Sequence, residues 1–228
     1  MKRSAASTIA ICAGGLLGLA AKRRWPRVQS PGDAAMNRLT TYFIVPVWIG
    51  AGFLDYIWHR RTRIETTSGI EESLMHSLMM IEAGPAVLAP LFLEINAGVL
   101  AGMVAFGFAH ELTVLWDVWF TSPRRPISAG EQVTHTFLEA PPLLVAAAAI
   151  ATHWEQFQAL FHRGKEPARF EIRLRDPLIP LPTLLLVAVA ILLFGALPHF
   201  DELRRCVDAM KAGKIGKDSP ACLEQVFS

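Results

Sequence analysis

This chain is short of charge. Only 18% of its 228 residues are Asp, Glu, Lys or Arg, and basic and acidic groups nearly cancel at a formal net charge of +2. A balance so close to zero carries no electrostatic footprint for nucleic acid. Cysteine is scarce as well. Cys12, Cys206 and Cys222 show neither CxxC spacing nor a zinc-finger pattern. Cys206 and Cys222 can pair if the C-terminal tail faces an oxidising compartment, and two free thiols is the equal alternative. There is no internal repeat, no low-complexity tract and no stretch that reads as a second, soluble domain.

What fills the chain instead is apolar. The hydrophobic fraction is 52% and the mean hydropathy +0.34, beyond an ordinary soluble domain and in the range of membrane proteins. Runs of about 20 mostly apolar residues fall at 40–58, 69–93, 96–120, 130–153 and 177–198. The expected fold is therefore an all-α integral membrane protein of about five spans, four of them bundled around polar side chains. Residues 1–35 read as a signal peptide, a weak anchor or an extension ahead of a start at Met36; 36–200 as the bundle; 201–228 as a polar tail. "SGIE" (Ser68–Glu71) and "SAGE" (Ser128–Glu131) have the form of S-x-x-E capping boxes, so Glu71 and Glu131 read as caps. Gly84–Pro85 is placed to kink the second span. Residues 154–176 are amphipathic and basic, an interfacial segment or a loop.

The few polar residues in the spans are not scattered. Asp55 and His59, Glu72 and His76, and His135 and Glu139 are each four apart, and His110 and Asp117 are seven apart with Glu111 beside the histidine. Residues at i+4 or i+7 share a helix face. Asp55–His59 and His110–Asp117 end their spans, whereas Glu72–His76 and His135–Glu139 begin theirs. Up-and-down alternation brings all four pairs to one side of the membrane, within about two helical turns of its surface at ~1.5 Å per residue. The other half of the spans is almost wholly Ala, Leu, Val and Phe. Trp58, Trp116 and Trp119 lie at the polar end, where indoles anchor the interface.

Imidazole with carboxylate and no thiolate suits iron, manganese or zinc. A helical bundle with His and Glu projecting inward is the di-iron or di-manganese carboxylate plan. Glu72, His76, His110, His135 and Glu139 are the expected ligands, with Asp55, His59 and Asp117 as further ligands or their supports and Glu111 as a proton donor. His76, His110 and His135 are expected to converge. Glu82 reads as bonded to a neighbour, and His153, His162 and His199 as solvated. The resulting expectation is a dinuclear non-haem iron oxidoreductase acting on a lipid-soluble substrate, with an electron-donor protein as partner and the bilayer as solvent. A haem b protein, an ion transporter and a non-catalytic membrane subunit are the alternatives.

"DYIWHRRTRIETTSGIEESLMH", "LFLEINA", "HELTVLWDV" and "EQVTHTFLE" together resemble a widespread family of small bacterial integral membrane proteins over residues 40–205. The resemblance implies that the four segments act as a unit in a bacterial inner membrane, and it supplies no reaction. A cyclic-nucleotide cyclase label attached to some members is rejected here, because the chain has no GGDEF-type loop and no soluble catalytic domain. Similarity to membrane fatty-acid hydroxylases and desaturases is architectural only, since their histidine boxes are missing. A chain starting at Met36 carries ten Lys and Arg on the cluster side and six on the other, which favours a cytoplasmic cluster; starting from Met1, the two sides tie at ten.

Overall fold

The computed structural model describes residues 30–216, which are all-helical apart from turns and connecting segments. The proposed signal segment, Cys12 and Cys222 lie outside the described residues. Five helices are long and apolar enough to cross a membrane: α1 (Pro31–Arg61), α2 (Ile70–Phe92), α3 (Ala97–Thr121), α4 (Ala129–Thr152) and, after a short helix α5 (Trp154–Ala159), α6 (Leu181–Lys211). The turns 62–69 and 122–128 and the end of α6 lie at one end of the bundle, because successive long helices reverse direction. The α2–α3 turn and the long 160–180 connection close the other end. There Glu94 N–H donates to Arg173 O (2.9 Å), and Gly98 N–H to Arg169 O (2.9 Å).

Local chemistry starts each helix differently. Ser30 and Asp33 form a reciprocal capping box for α1, with Pro31 in its first turn. Asn96 caps α3 by accepting the Val99 N–H at 3.1 Å. Ser128 caps α4, accepting the Glu131 N–H at 3.1 Å. Ser128→Ala is expected to cost about 1 kcal/mol, as cap losses do, read as a lower unfolding midpoint in detergent. The other half of the "SAGE" box does not form as a cap. Glu131 is fully buried and turns inward to an ion pair. "SGIE" fails altogether as a box: Gly69 is the cap residue at φ 78°, with no side-chain cap bond, and Ser68 is buried. The α1–α2 turn needs a left-handed residue at that point, which glycine supplies without strain.

Apolar and polar halves of the bundle separate. Met36, Ile44, Ile95, Val99, Leu100, Met103, Val145, Ala146 and Ala149 form one buried cluster, and Val45, Val87 and Leu91 a second. Hydrophobicity does not drive helices together within lipid, so small residues that let backbones approach matter more. Gly130 is the clearest case. A Cβ built there would stand 2.6 Å from Trp58 Cζ2. With only hydrogen in that space, the Trp58 indole packs on the first turn of α4 and donates to Thr134 Oγ1 at 3.2 Å. That contact draws α1 against α4 at the polar end.

α6 departs from the expected plan. It does not stop near 198 but continues to Lys211 through a π-turn at Leu192–Ala196. Pro198, Glu202, Cys206 and Ala209 are its buried stripe, and this stripe carries the chain past residue 200 back onto the bundle. Five helices, not four, therefore surround the polar side chains.

A candidate metal centre between five helices

Each group at the polar end is delivered by a separate piece of the chain. The last turns of α1 present Asp55 and His59; the first turns of α2 present Glu72 and His76. Asp117 comes from α3, Glu131 and His135 from α4, Glu202 from α6 and Arg125 from the turn 122–128. Their ligand atoms fall into three overlapping groups, each within 4.8 Å: Asp55, His59, Glu131 and His135; His59, His76 and Glu202; Glu72, His76 and Asp117.

Glu202 sits at the joint. One oxygen lies 2.8 Å from His59 Nδ1 and the other 3.3 Å from His76 Nδ1. The two imidazoles stack nearly parallel, 6° apart, with centroids separated by 4.6 Å. A carboxylate accepts hydrogen bonds, so each Nδ1 donates to Glu202 and each Nε2 is turned toward other carboxylates. The His59 Nε2 faces Asp55 at 3.5 Å and Glu131 at 3.7 Å. The His76 Nε2 faces Glu72 and Asp117, both at 3.8 Å. His135 Nε2 is 3.0 Å from Asp55 Oδ1.

Arg125 closes the opposite side. Its guanidinium is fully buried and reaches Glu72 at 2.6 Å and Glu131 at 2.7 Å. Burial opposes its charge, but the adjacent Glu72 and Glu131 outweigh burial and raise its pKa above the usual value. It ties together the carboxylates that belong to the first and third groups.

The donor set fits divalent cations. Five carboxylates face one guanidinium, Arg125, so the cluster has an excess of acidic groups for cations to balance. Buried charges left uncompensated cost several kcal/mol each. The His59 Nε2 and Glu131 Oε2 are buried with no hydrogen-bond partner, and orphaned buried polar atoms of this kind call for a water or an ion. The 3.5–3.8 Å separations around Nε2 are too long for hydrogen bonds. They are close to the spacing of two ligands that share an ion at about 2.0–2.2 Å from each.

The expected residues are not all gathered. Asp55, His59, Glu72, His76, Asp117 and His135 enter the three groups. His110 is buried on α3 and lines the same cavity as His76 and His135, but it enters none of the three close groups, where His59 stands with His76 and His135. His110 sits almost two turns deeper than Asp117, at ~1.5 Å per residue. Glu139 lines the same cavity outside the groups. Glu111 has one buried oxygen without a partner and does not line that cavity. Glu82 accepts from Thr113 Oγ1 at 3.1 Å, as its placement suggested.

Sequence reasoning passed over Glu131, Glu202, Arg125 and His199. Glu131 was hidden by its cap-like position. His199 is not solvated: it lines the cavity and lies 2.8 Å from Ser77 Oγ. The signal for both α6 residues was available. A fifth span running back from the far end must finish at the depth of the other pairs, and "PHFDELRRC" is where it finishes.

Next to the cluster is a cavity of about 130 Å³. Its lining is mostly apolar, with Trp48, Met79, Ala83, Val114 and Leu138, and it also includes the cluster histidines, His110 and Glu139. Comparison with family models, curated proteins and solved structures returns no match to this chain.

Proposed function

We propose that this protein is a membrane-bound, metal-dependent oxidoreductase built around a dinuclear non-haem centre, with iron the first choice and manganese or zinc the alternatives. The observation that carries the reading is the shared Glu202. It holds the Nδ1 atoms of two stacked imidazoles and turns both Nε2 atoms toward separate carboxylate pairs. A carboxylate behind a histidine fixes the tautomer and raises the basicity of the ligating nitrogen. Asp55, His59, Glu131 and His135 would hold one ion, and His76, Glu72 and Asp117 the other. The ions would supply Lewis acidity and redox capacity beside a dry pocket.

The residues of the chain do the rest. Glu202 orients the two imidazoles, Arg125 holds Glu72 and Glu131, and the apolar cavity wall excludes water from the reacting end. A haem held between His59 and His76 is disfavoured, because parallel rings 4.6 Å apart leave no room for a macrocycle. The reading places the protein as a multi-pass protein of the bacterial inner membrane with the cluster toward the cytoplasm. A soluble electron donor would then approach the exposed turns.

Metal analysis of the detergent-purified protein tests this directly. Two metal ions per chain are expected, no Soret band, and a fall to about one ion per chain in His135→Ala. Protein purified without chelators that holds no transition metal, and takes up none when iron, manganese or zinc is added, would remove the proposal and leave an ion-pair network.

A further inference from the structure

The geometry points to the occupant of the cavity: a hydrocarbon segment of a phospholipid acyl chain, brought to the cluster from the bilayer alongside α6. The inference rests on the metal-centre reading for its chemistry but has its own evidence. The cavity is mostly apolar in lining and opens onto the His and carboxylate cluster, with His110 and Glu139 among its walls. A cavity near 150 Å³ with apolar walls stays dry and accepts a benzene-sized molecule, so about 130 Å³ suits a stretch of roughly six carbons rather than a whole lipid. The cluster lies at the ends of the helices, and the lining residues Trp48, Ala83 and Leu138 lie further along them, at the depth of acyl carbons.

Two glycines keep that space open. Gly195 on α6 and Gly52 on α1 both line it. A Cβ built at Gly195 meets no atom within 4 Å, and one at Gly52 meets only Leu138 Cδ2 at 3.9 Å. Neither glycine is required by packing or by a positive φ. Glycine within a helix is unfavourable by roughly 0.5–1 kcal/mol relative to alanine, so two such residues facing one cavity mark space kept free. Gly195 also falls within the π-turn Leu192–Ala196, and such bulges are frequent at functional sites.

α6 is the wall that lipid can pass. Only 6% of its most apolar window is buried, against 28–33% for the other four spans. Its first eleven residues, Leu181–Ile191, bury none of their side chains. It is anchored to the bundle by its other end, at Pro198, Glu202 and Cys206. α6 is therefore peripheral over its first half, where partly buried side chains such as Val187 touch the bundle, and it becomes fully part of the bundle where the cavity meets the cluster.

The test uses full-length protein in phosphatidylethanolamine–phosphatidylglycerol vesicles, doped with a phospholipid that carries a diazirine midway along one acyl chain. After illumination, labelled residues are located by peptide mass spectrometry and metal content is measured on the same sample. Labelling of Met79, Ala83 or Leu138 is expected, in addition to outward residues such as Phe108. Gly195→Leu should lower the cavity labels at least fivefold, with metal content and Phe108 labelling unchanged. Gly50→Leu, at a glycine with open space that does not line the cavity, should change none of them. Gly52→Val fills the cavity from the opposite helix and repeats the measurement if Gly195→Leu folds poorly. Cavity residues that stay unlabelled in native protein, or labels that persist in both filled variants, would overturn the lipid inference while metal content still reports on the centre. Labelling that follows the expected pattern in a protein without metal would keep the lipid site and remove the metal reading.

Discussion

Arg125→Met should be the most damaging single substitution in the bundle. It removes the cation that, among the described residues, touches both Glu72 and Glu131, all three side chains being fully buried. Taking away one partner of a buried pair typically costs about 3–5 kcal/mol, because the remaining charge has neither water nor counter-ion. Here two carboxylates are stranded. The expected result is a large loss of folded protein in detergent and a lowered unfolding midpoint, most severe after chelation. Added divalent metal should recover part of the loss, since cations at the adjacent groups neutralise the same carboxylates. The triple variant Arg125→Met, Glu72→Gln, Glu131→Gln should be more stable than Arg125→Met alone, because its buried groups are neutral. A single Arg125→Met variant as stable as the parent would show that the guanidinium is not held between these carboxylates.

His59→Ala should cause the deepest loss of metal. His59 has Nδ1 on Glu202 and Nε2 toward Asp55 and Glu131 and, like His76, belongs to two of the three groups; unlike His76 it is almost fully buried. Its removal takes a ligand from the first ion and leaves Glu202 with a single imidazole to orient. Well under one ion per chain is expected, compared with about one for His135→Ala. Glu202→Gln should act differently. It keeps the size of the side chain but weakens the carboxylate–imidazole pairing, so affinity should fall about 10–100-fold, as for other supporting residues behind ligands, with both ions still bound at saturating metal. Competition against a fluorescent chelator separates lost stoichiometry from lowered affinity. Equal affinity in Glu202→Gln and the parent would mean that the carboxylate plays no part in orienting the two histidines.

The depth of the site was legible in one dimension. Steps of four and seven within apolar runs place Asp55, His59, Glu72, His76, Asp117 and His135 on helix faces, and alternation of direction places those faces at one end. These are consequences of helix periodicity and span length alone. The five apolar helices follow from the same run lengths, and the structure moves their ends by a few residues, except at the start of α1, which begins at Pro31, and at the end of α6. Its continuation to Lys211 depends on Pro198, Glu202, Cys206 and Ala209 finding a surface to bury against, which is a property of the other helices.

Rotation about each helix axis and the fate of the turns belonged to the tertiary structure. Glu131 is a plausible cap by position, and nothing in "SAGE" distinguishes a carboxylate turned back to its helix start from one turned into the bundle. Arg125 in "TSPRRP" looks like an interfacial charge, yet the turn points it between two carboxylates. His110 and His59 have equal claims by spacing. Packing brings His59 into two of the close groups, with Gly130 letting Trp58 draw α1 against α4, while His110 reaches only the cavity wall. Sequence by itself determined which residue types share a depth, because helical rise and bilayer thickness are fixed lengths. Only the tertiary structure decided which of them touch, because contact depends on close packing between helices that are far apart in the chain.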